Sequence, residues 1–351
     1  MPLETRKASS YLLPFDNTGA VSTGVAIANL ASAPAKVNVV IRDDAGAQIG
    51  AGSIGLAAQG HNSFMLADAT YGFPATAAVR GTVEFDTPAG GEISVLGLRA
   101  NTIPNSSGFA LTSLPVLAGV GTGGGAMAHI AAGAGWQTTF TLVNTGAAPA
   151  TAGLSFFGDK GTAVSLPLSF PQTGATIAAS NVNQSIPAGG SLIVVVQDSG
   201  GAITTTGSAV LTTAGNVGGF AVLRYNPTGQ EAAVGLQAVN APSYILAFDN
   251  TAGLSTGLAI ANLAAQAASV SVIIRDGTGA QIGTGSINLP AQGHTSFMLT
   301  DTSSGGWAAA AGVRGTVEFD TPPGGRIAPL GLRAAPISGG FTITTIPVMQ
   351  P

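Results

Sequence analysis

The sequence predicts an all-β protein of three tandem antiparallel β-sandwich modules, with immunoglobulin-like and jelly-roll topologies both open. Three observations predict it. The chain repeats itself, its apolar residues alternate with period two, and turn residues punctuate it at intervals of roughly eight to twelve residues.

The repeat comes first. Tyr11-Leu-Leu-Pro-Phe-Asp-Asn-Thr18 returns as Tyr244-Ile-Leu-Ala-Phe-Asp-Asn-Thr251. Ser22-Thr-Gly-Val-Ala-Ile-Ala-Asn29 returns as Ser255-Thr-Gly-Leu-Ala-Ile-Ala-Asn262, and Val79 to Pro88 is identical to Val313 to Pro322. The middle of the chain reads as a diverged copy. There Thr139-Phe-Thr-Leu-Val-Asn144 takes the place of Gly24 to Asn29, and Ile186-Pro-Ala-Gly-Gly-Ser191 that of Leu289-Pro-Ala-Gln-Gly-His294. The order is therefore A, B, A′.

Five segments follow: a lead-in strand or linker over 1–10, module A over 11–118, a Gly-rich linker over 119–127, module B over 128–240 and module A′ over 241–351. Module B carries an inserted loop of small and polar residues over 169–184. Leu3 to Tyr11 matches Leu236 to Tyr244, the exit of module B, so the lead-in is expected to be homologous to the end of a preceding module. On that reading the chain is a piece of a longer array, with its signal peptide lost upstream.

Within a module, Val37-Asn-Val-Val-Ile-Arg42, Thr82-Val-Glu-Phe-Asp86 and Phe109-Ala-Leu-Thr-Ser-Leu114 alternate as half-buried strands do. Asp43-Asp-Ala-Gly46, Asp159-Lys-Gly161, Asp276-Gly277 and Pro88-Ala-Gly-Gly91 supply the turns. About seven or eight strands per module result. The Ala-rich passage before Val79, matched by Trp307 to Gly312, predicts a single helical turn bridging the sheets.

Composition narrows the function class. Only 8% of residues are charged and 45% are hydrophobic, with a mean hydropathy of +0.41. A membrane-spanning helix needs roughly 20 apolar residues in a row, and every such stretch here is interrupted. A net charge of −4 without a basic run argues against nucleic acid as a partner. The absence of cysteine removes disulfides, thiolate metal sites and cysteine nucleophiles.

Phe-Asp-Asn-Thr, Ser-Thr-Gly-x-Ala-Ile-Ala-Asn, Gly-His-x-Ser-Phe and Arg-Gly-Thr-Val-Glu-Phe together resemble the tandem immunoglobulin-like repeat modules of large secreted bacterial surface proteins. The resemblance covers nearly the whole chain. It implies an extracellular or cell-surface location and a role as stalk, spacer or adhesive element, and it brings no catalytic residues with it.

Motifs that could carry chemistry read better as structure. Gly253-Leu-Ser255-Thr-Gly257 fits G-x-S-x-G, but a strand follows where the nucleophile's helix should stand. Gly119-Val-Gly121-Thr-Gly-Gly124 fits G-x-G-x-x-G without a strand–helix frame. His61 and His294 are equivalent, with Ser191 in their place in module B, and one histidine per module is too few for a triad or metal site. Asp16-Asn17, Asp249-Asn250, Asp43, Asp44 and Asp276 could offer oxygens to Ca²⁺, but Asx turns explain them equally. Arg99, Arg224 and Arg333 form a set at strand ends, where a guanidinium can bond backbone carbonyls. Trp136 and Trp307 read as core or seam residues.

No catalytic, cofactor-binding or metal-ligating residue is assigned, and no enzyme is expected. The expected function is a structural or adhesive array, acting as a stalk or as the subunit of a surface fibre. Its partners would be neighbouring copies, joined by strand addition or end to end, or another extracellular protein. The alternative is a glycan- or protein-binding accessory module of a larger secreted protein.

Overall fold

A computed structural model describes residues 8–88, 90–104, 107–118, 124–198, 200–237, 241–337 and 340–350. The first seven residues of the lead-in and residues 119–123, which hold most of the G-x-G-x-x-G motif, lie outside the described residues. Nearly all regular structure is antiparallel strand. Among the described residues the helical pieces are two 3-10 turns, Pro74–Thr76 and Ala308–Ala310, where the Ala-rich passages predicted them.

Module A contributes β1 (Ser10–Asp16), β2 (Val21–Asn29), β3 (Ala35–Asp43), β4 (Gln48–Leu56), β5 (His61–Met65), β6 (Arg80–Asp86), β7 (Ile93–Thr102) and β8 (Phe109–Leu114). They form two sheets, β1-β6-β3-β4 and β5-β2-β7-β8. Alternation places Val37, Val39, Ile41, Val83 and Phe85 of the first sheet against Val25, Ile27, Ile93 and Val95 of the second. Each such side chain contributes about 1.5–3 kcal/mol on leaving water. The sandwich prediction holds, but the strand order is not that of an immunoglobulin domain, which groups ABED and CFG. Here the first strand lies beside the sixth and the seventh beside the second.

Module B supplies β9 (Gly124–Ala132), β10 (Trp136–Asn144), β11 (Ala150–Gly158), β12 (Leu166–Phe170), β13 (Ala175–Ala179), β14 (Asn181–Ile186), β15 (Ser191–Val196), β16 (Thr205–Ala214), β17 (Val217–Tyr225) and β18 (Gln230–Gly235). Its sheets run β14-β11-β16-β9 and β13-β12-β15-β10-β17-β18, the layout of module A with one hairpin added. That hairpin, over 166–179, overlaps the stretch 169–184 expected to be an inserted loop, whose end instead opens β14. Leu166, Leu168 and Phe170 of β12 face the core, and β13 forms the sheet edge. The predicted linker also ends early, since β9 starts at Gly124.

Module A′ consists of β19 (Ser243–Asp249), β20 (Ser255–Asn262), β21 (Ala268–Asp276), β22 (Gln281–Leu289), β23 (His294–Met298), β24 (Arg314–Asp320), β25 (Ile327–Ile337), β26 (Gly340–Ile346) and β27 (Val348–Met349), in sheets β22-β21-β24-β19-β27 and β23-β20-β25-β26.

Two polar clips recur in all three modules. Thr23, Thr138 and Thr256 each donate from Oγ1 to a first-strand carbonyl, of Asp16, Ala131 and Asp249, and accept the N–H of that same residue. They thereby join the two layers. Asn29, Asn144 and Asn262 each donate from Nδ2 to the carbonyl four residues on and to a second loop, and accept an N–H two residues on. Gly81, Gly207 and Gly315 mark a third shared place. A Cβ there would strike the carbonyl of Arg42, Phe157 or Arg275 on the paired strand.

Module B differs in burial. Ile193, Val194, Val195 and Val196 of β15 are all buried, as are Phe220, Ala221, Val222 and Leu223 of β17. Two-sided burial needs a cover on each face. Phe220, Val222 and Ala233 join the core of module A, while Ala259, Ala328 and Leu330 of module A′ join the core of module B.

Candidate functional site: the two seams of the central module

The chemistry-bearing side chains gather at the two seams. Each module presents a front, made of the outer face of the sheet holding its second, fifth and seventh strands. Each also presents a back, made of its first strand and the turn after its third. The back of A covers the front of B, and the back of B covers the front of A′. Thus Asp44 and Asp159, which follow residues paired with Gly81 and Gly207, reach Ser191 and His294, which open β15 and β23.

At the first seam the Ser191 N–H donates to the Asp44 carbonyl at 2.9 Å, and Ser191 Oγ to Asp44 Oδ1 at 2.6 Å. At the second the His294 N–H donates to the Asp159 carbonyl at 3.1 Å, and His294 Nδ1 meets Asp159 Oδ1 at 2.8 Å. One docking operation is therefore used twice.

The first seam is also pinned by a carboxylate whose side chain is 0% exposed. Glu231 of β18 accepts from Arg99 Nε at 2.9 Å, Arg224 Nη1 at 2.7 Å and Asn101 Nδ2 at 2.7 Å. Burial works to raise its pKa, but the Arg99 charge and these hydrogen bonds overcome that and hold it below 4.5. Thr112 Oγ1 donates to the Glu231 carbonyl. This cluster corrects the expected arginine set. Arg99 stands opposite Thr23 and Arg333 opposite Thr256, but Leu223, not Arg224, stands opposite Thr138. Arg224 is one register place on and faces outward. Arg99 and Arg224 meet a buried carboxylate rather than backbone carbonyls, and Arg333 is exposed.

The second seam holds a relay that sequence reading missed. His129 Nδ1 lies 3.1 Å from His294 Nε2, and the rings stack at 5.2 Å. His294 Nδ1 faces the Asp159 carboxylate, and one N–H joins His294 Nε2 to His129 Nδ1. Asp159 is steadied by Thr206 Oγ1 at 3.1 Å, and chiefly the His294 hydrogen bond lowers its pKa. Burial, and then the neighbouring His294 charge, push His129 from 6.5 down to about 3, against the pull of Asp159. The one signal in sequence was a histidine on β9, whose neighbours are otherwise small or apolar.

Beside this relay a groove of about 600 Å³ opens between modules B and A′, lined by His129, Trp136, Ser255, Phe297, Met298 and Phe341, among others. Trp136 lies 5.1 Å from Tyr225, which stacks on Phe341 at 5.9 Å. Trp136 is thus a seam residue with its edge on a groove, and Trp307 packs on Phe297 inside module A′. Ser255 opens strand β20 with no helix after it, and no hydrogen bond joins it to either seam histidine.

The remaining candidates are satisfied locally. Asp16 and Asp249 accept from Thr18 and Thr251, and Asn17 and Asn250 from the N–H groups of Thr23 and Thr256. Asp43 and Asp276 cap their own turns, and Asp44 also meets Arg80 at 3.4 Å. Among the described residues, no three carboxylate or histidine groups converge as a metal site would require. His61 is exposed, and among the described residues no helix is long and apolar enough to cross a membrane.

No family model matches the chain, and no curated protein does. Among solved structures, FlgD from P. aeruginosa aligns at 19% identity over 31% of this chain and 88% of its own, with a TM-score of 0.16. Dimeric latent PorU from Porphyromonas gingivalis aligns at 11% identity over 93% of this chain and 29% of its own, with a TM-score of 0.17. Likenesses at that level carry no argument about fold or function.

Proposed function

We propose that the chain is a non-enzymatic segment of an extracellular repeat array, serving as a stiff stalk or as part of a surface fibre. The supporting observation is the repetition of one docking operation at both seams, front to back, with buried polar pins at each. Heterologous contacts of this kind build open assemblies when the rotation does not close. Flexible tethering would need neither the Glu231 cluster nor the His–Asp relay. Electron microscopy of the intact chain tests the reading: class averages should show one body with fixed outline. Three beads at variable angles would overturn it.

The groove beside Trp136 supports a second reading, a binding module for a glycan or an extended peptide. Pockets that pair aromatic walls with a few polar groups are typical ligand sites. Titration with a glycan panel, followed by tryptophan fluorescence, should then give a saturable change that Trp136→Ala abolishes; an unresponsive signal across the panel would remove this reading.

A further inference from the structure

The front face of module A has the same make-up as the front of module A′, yet none of the described residues covers it. Leu111 is 69% exposed, where its counterpart Ile343 is 9% exposed. Phe109 is 61% exposed, where its counterpart Phe341 is only partly so, and His61 stands in water where His294 is 2% exposed. Module A′ shows what such a face accepts. It is the back of a B-type module, with His129 and Asp159 for the histidine and small residues of β9 against Ala259, Ala328 and Leu330.

The two seams also use different residues at one matched pair of places. Registers place Glu231, Leu111 and Ile343 in correspondence, because each is paired with the residue after Leu223, Arg99 and Arg333. At the A-to-B seam the pair is Arg99 with Glu231, an ion pair at 2.9 Å. At the B-to-A′ seam the matching places hold Leu223 and Ile343, both lining the groove. An A-type back on an A-type front would set an arginine on leucine, losing the 2.9 Å contact with Glu231 and keeping only the 3.8 Å contact with the Asp16-type carboxylate of its own module. Burying a charge against an apolar residue in place of its close partner is costly.

We propose that the exposed front of module A is a docking site for a further B-type module, recognised by a turn carboxylate for His61 and an apolar residue against Leu111. The inference rests on the array reading above and names the partner that reading requires. The back of module A′ does not meet these terms, for it carries Ala247, Gly277 and Arg333 where module B has His129, Asp159 and Leu223.

That difference supplies a gain-of-function test in the full chain. Ala247 is exposed. A Cβ at Gly277 would meet nothing closer than Arg314 at 3.7 Å, so Asp fits there as Asp44 does in module A. The combined variant Ala247→His, Gly277→Asp, Arg333→Leu gives module A′ a B-like back. In sedimentation velocity its mean mass should climb with concentration through dimer to longer head-to-tail species, while the wild type stays monomeric. Adding Leu111→Arg, at an already exposed site, should restore the monomer. A triple variant that stays monomeric, or association that survives Leu111→Arg, overturns the proposal. Wild-type association lost on Leu111→Arg also overturns it, because the occupant would then be the A′ back of a second copy. Three loose beads in microscopy defeat the array reading itself; one rigid body that never associates defeats only this inference.

Discussion

Modules A and A′ share long identical stretches, yet opposite ends of them are dry. In module A the back is covered, and Arg99 is 18% exposed beside Glu231. In module A′ the front is covered, and His294 is 2% exposed beside Asp159. Their counterparts Arg333 and His61 are in water. Burial here is a property of place in the array, not of the residue or its local sequence. The same side chain is a surface group in one copy and a seam pin in the other.

Substitution should expose that asymmetry most strongly at the first seam. Glu231→Ala leaves Arg99 and Arg224 without their shared counter-charge, and chemical denaturation should show a loss of about 3–5 kcal/mol. Glu84→Ala, which removes only a half-exposed partner 3.7 Å from Arg42, should change stability by less than about 1 kcal/mol. Equal losses would mean that the buried cluster is not a pin.

Acid should act next, and through the second seam. His129 is depressed from 6.5 to about 3, so the unfolded chain binds its proton first as the medium acidifies. The stability tied to its neutral form is whole above pH 6.5 and drains away as pH falls toward 3. Asp159 and Glu231 are also depressed, from 3.8 and 4.5, and so add losses of the same sign only at the acidic end. Thermal unfolding followed from pH 7 to pH 4 should therefore decline in the wild type and flatten in His129→Gln. A flat wild-type profile would show that the relay carries no such linkage.

The smallest contrast sets equivalent histidines against each other. His294→Ala leaves the Asp159 carboxylate short of a donor and should cost about 1–3 kcal/mol. His61→Ala should stay within about 0.5 kcal/mol. Matching values would erase the distinction between the two fronts.

Much of this architecture could be read before any coordinates. Repetition located the three modules, and alternation such as Val37, Val39, Ile41 located strands, because both are local properties of the chain. What escaped was non-local. Arg224 looks like Arg99 in sequence, but a one-residue shift in β17 turns it outward, and only pairing with β10 reveals that. The insert reads as loop from its Gly, Thr and Gln, while Leu166, Leu168 and Phe170 carried the strand signal. The apolar run Leu192-Ile-Val-Val-Val196, which drew no separate reading in the sequence, is a strand whose Ile193 to Val196 are all buried. Glu231, His129 and Asp159 gain their meaning from partners more than a hundred positions away in the other modules, Arg99 and His294, where no spacing rule reaches.

The two-sided burial of β15 and β17 has a consequence for biogenesis. Unaccompanied, module B would bare Ile193, Val195, Phe220 and Val222 on one sheet face, the kind of apolar surface that sticks nascent chains together. Synthesis from the N-terminus would supply module A first, so the cover for Phe220 and Val222 would be made before those strands leave the ribosome. The contact that closes the first seam would then also keep that face from other chains during synthesis.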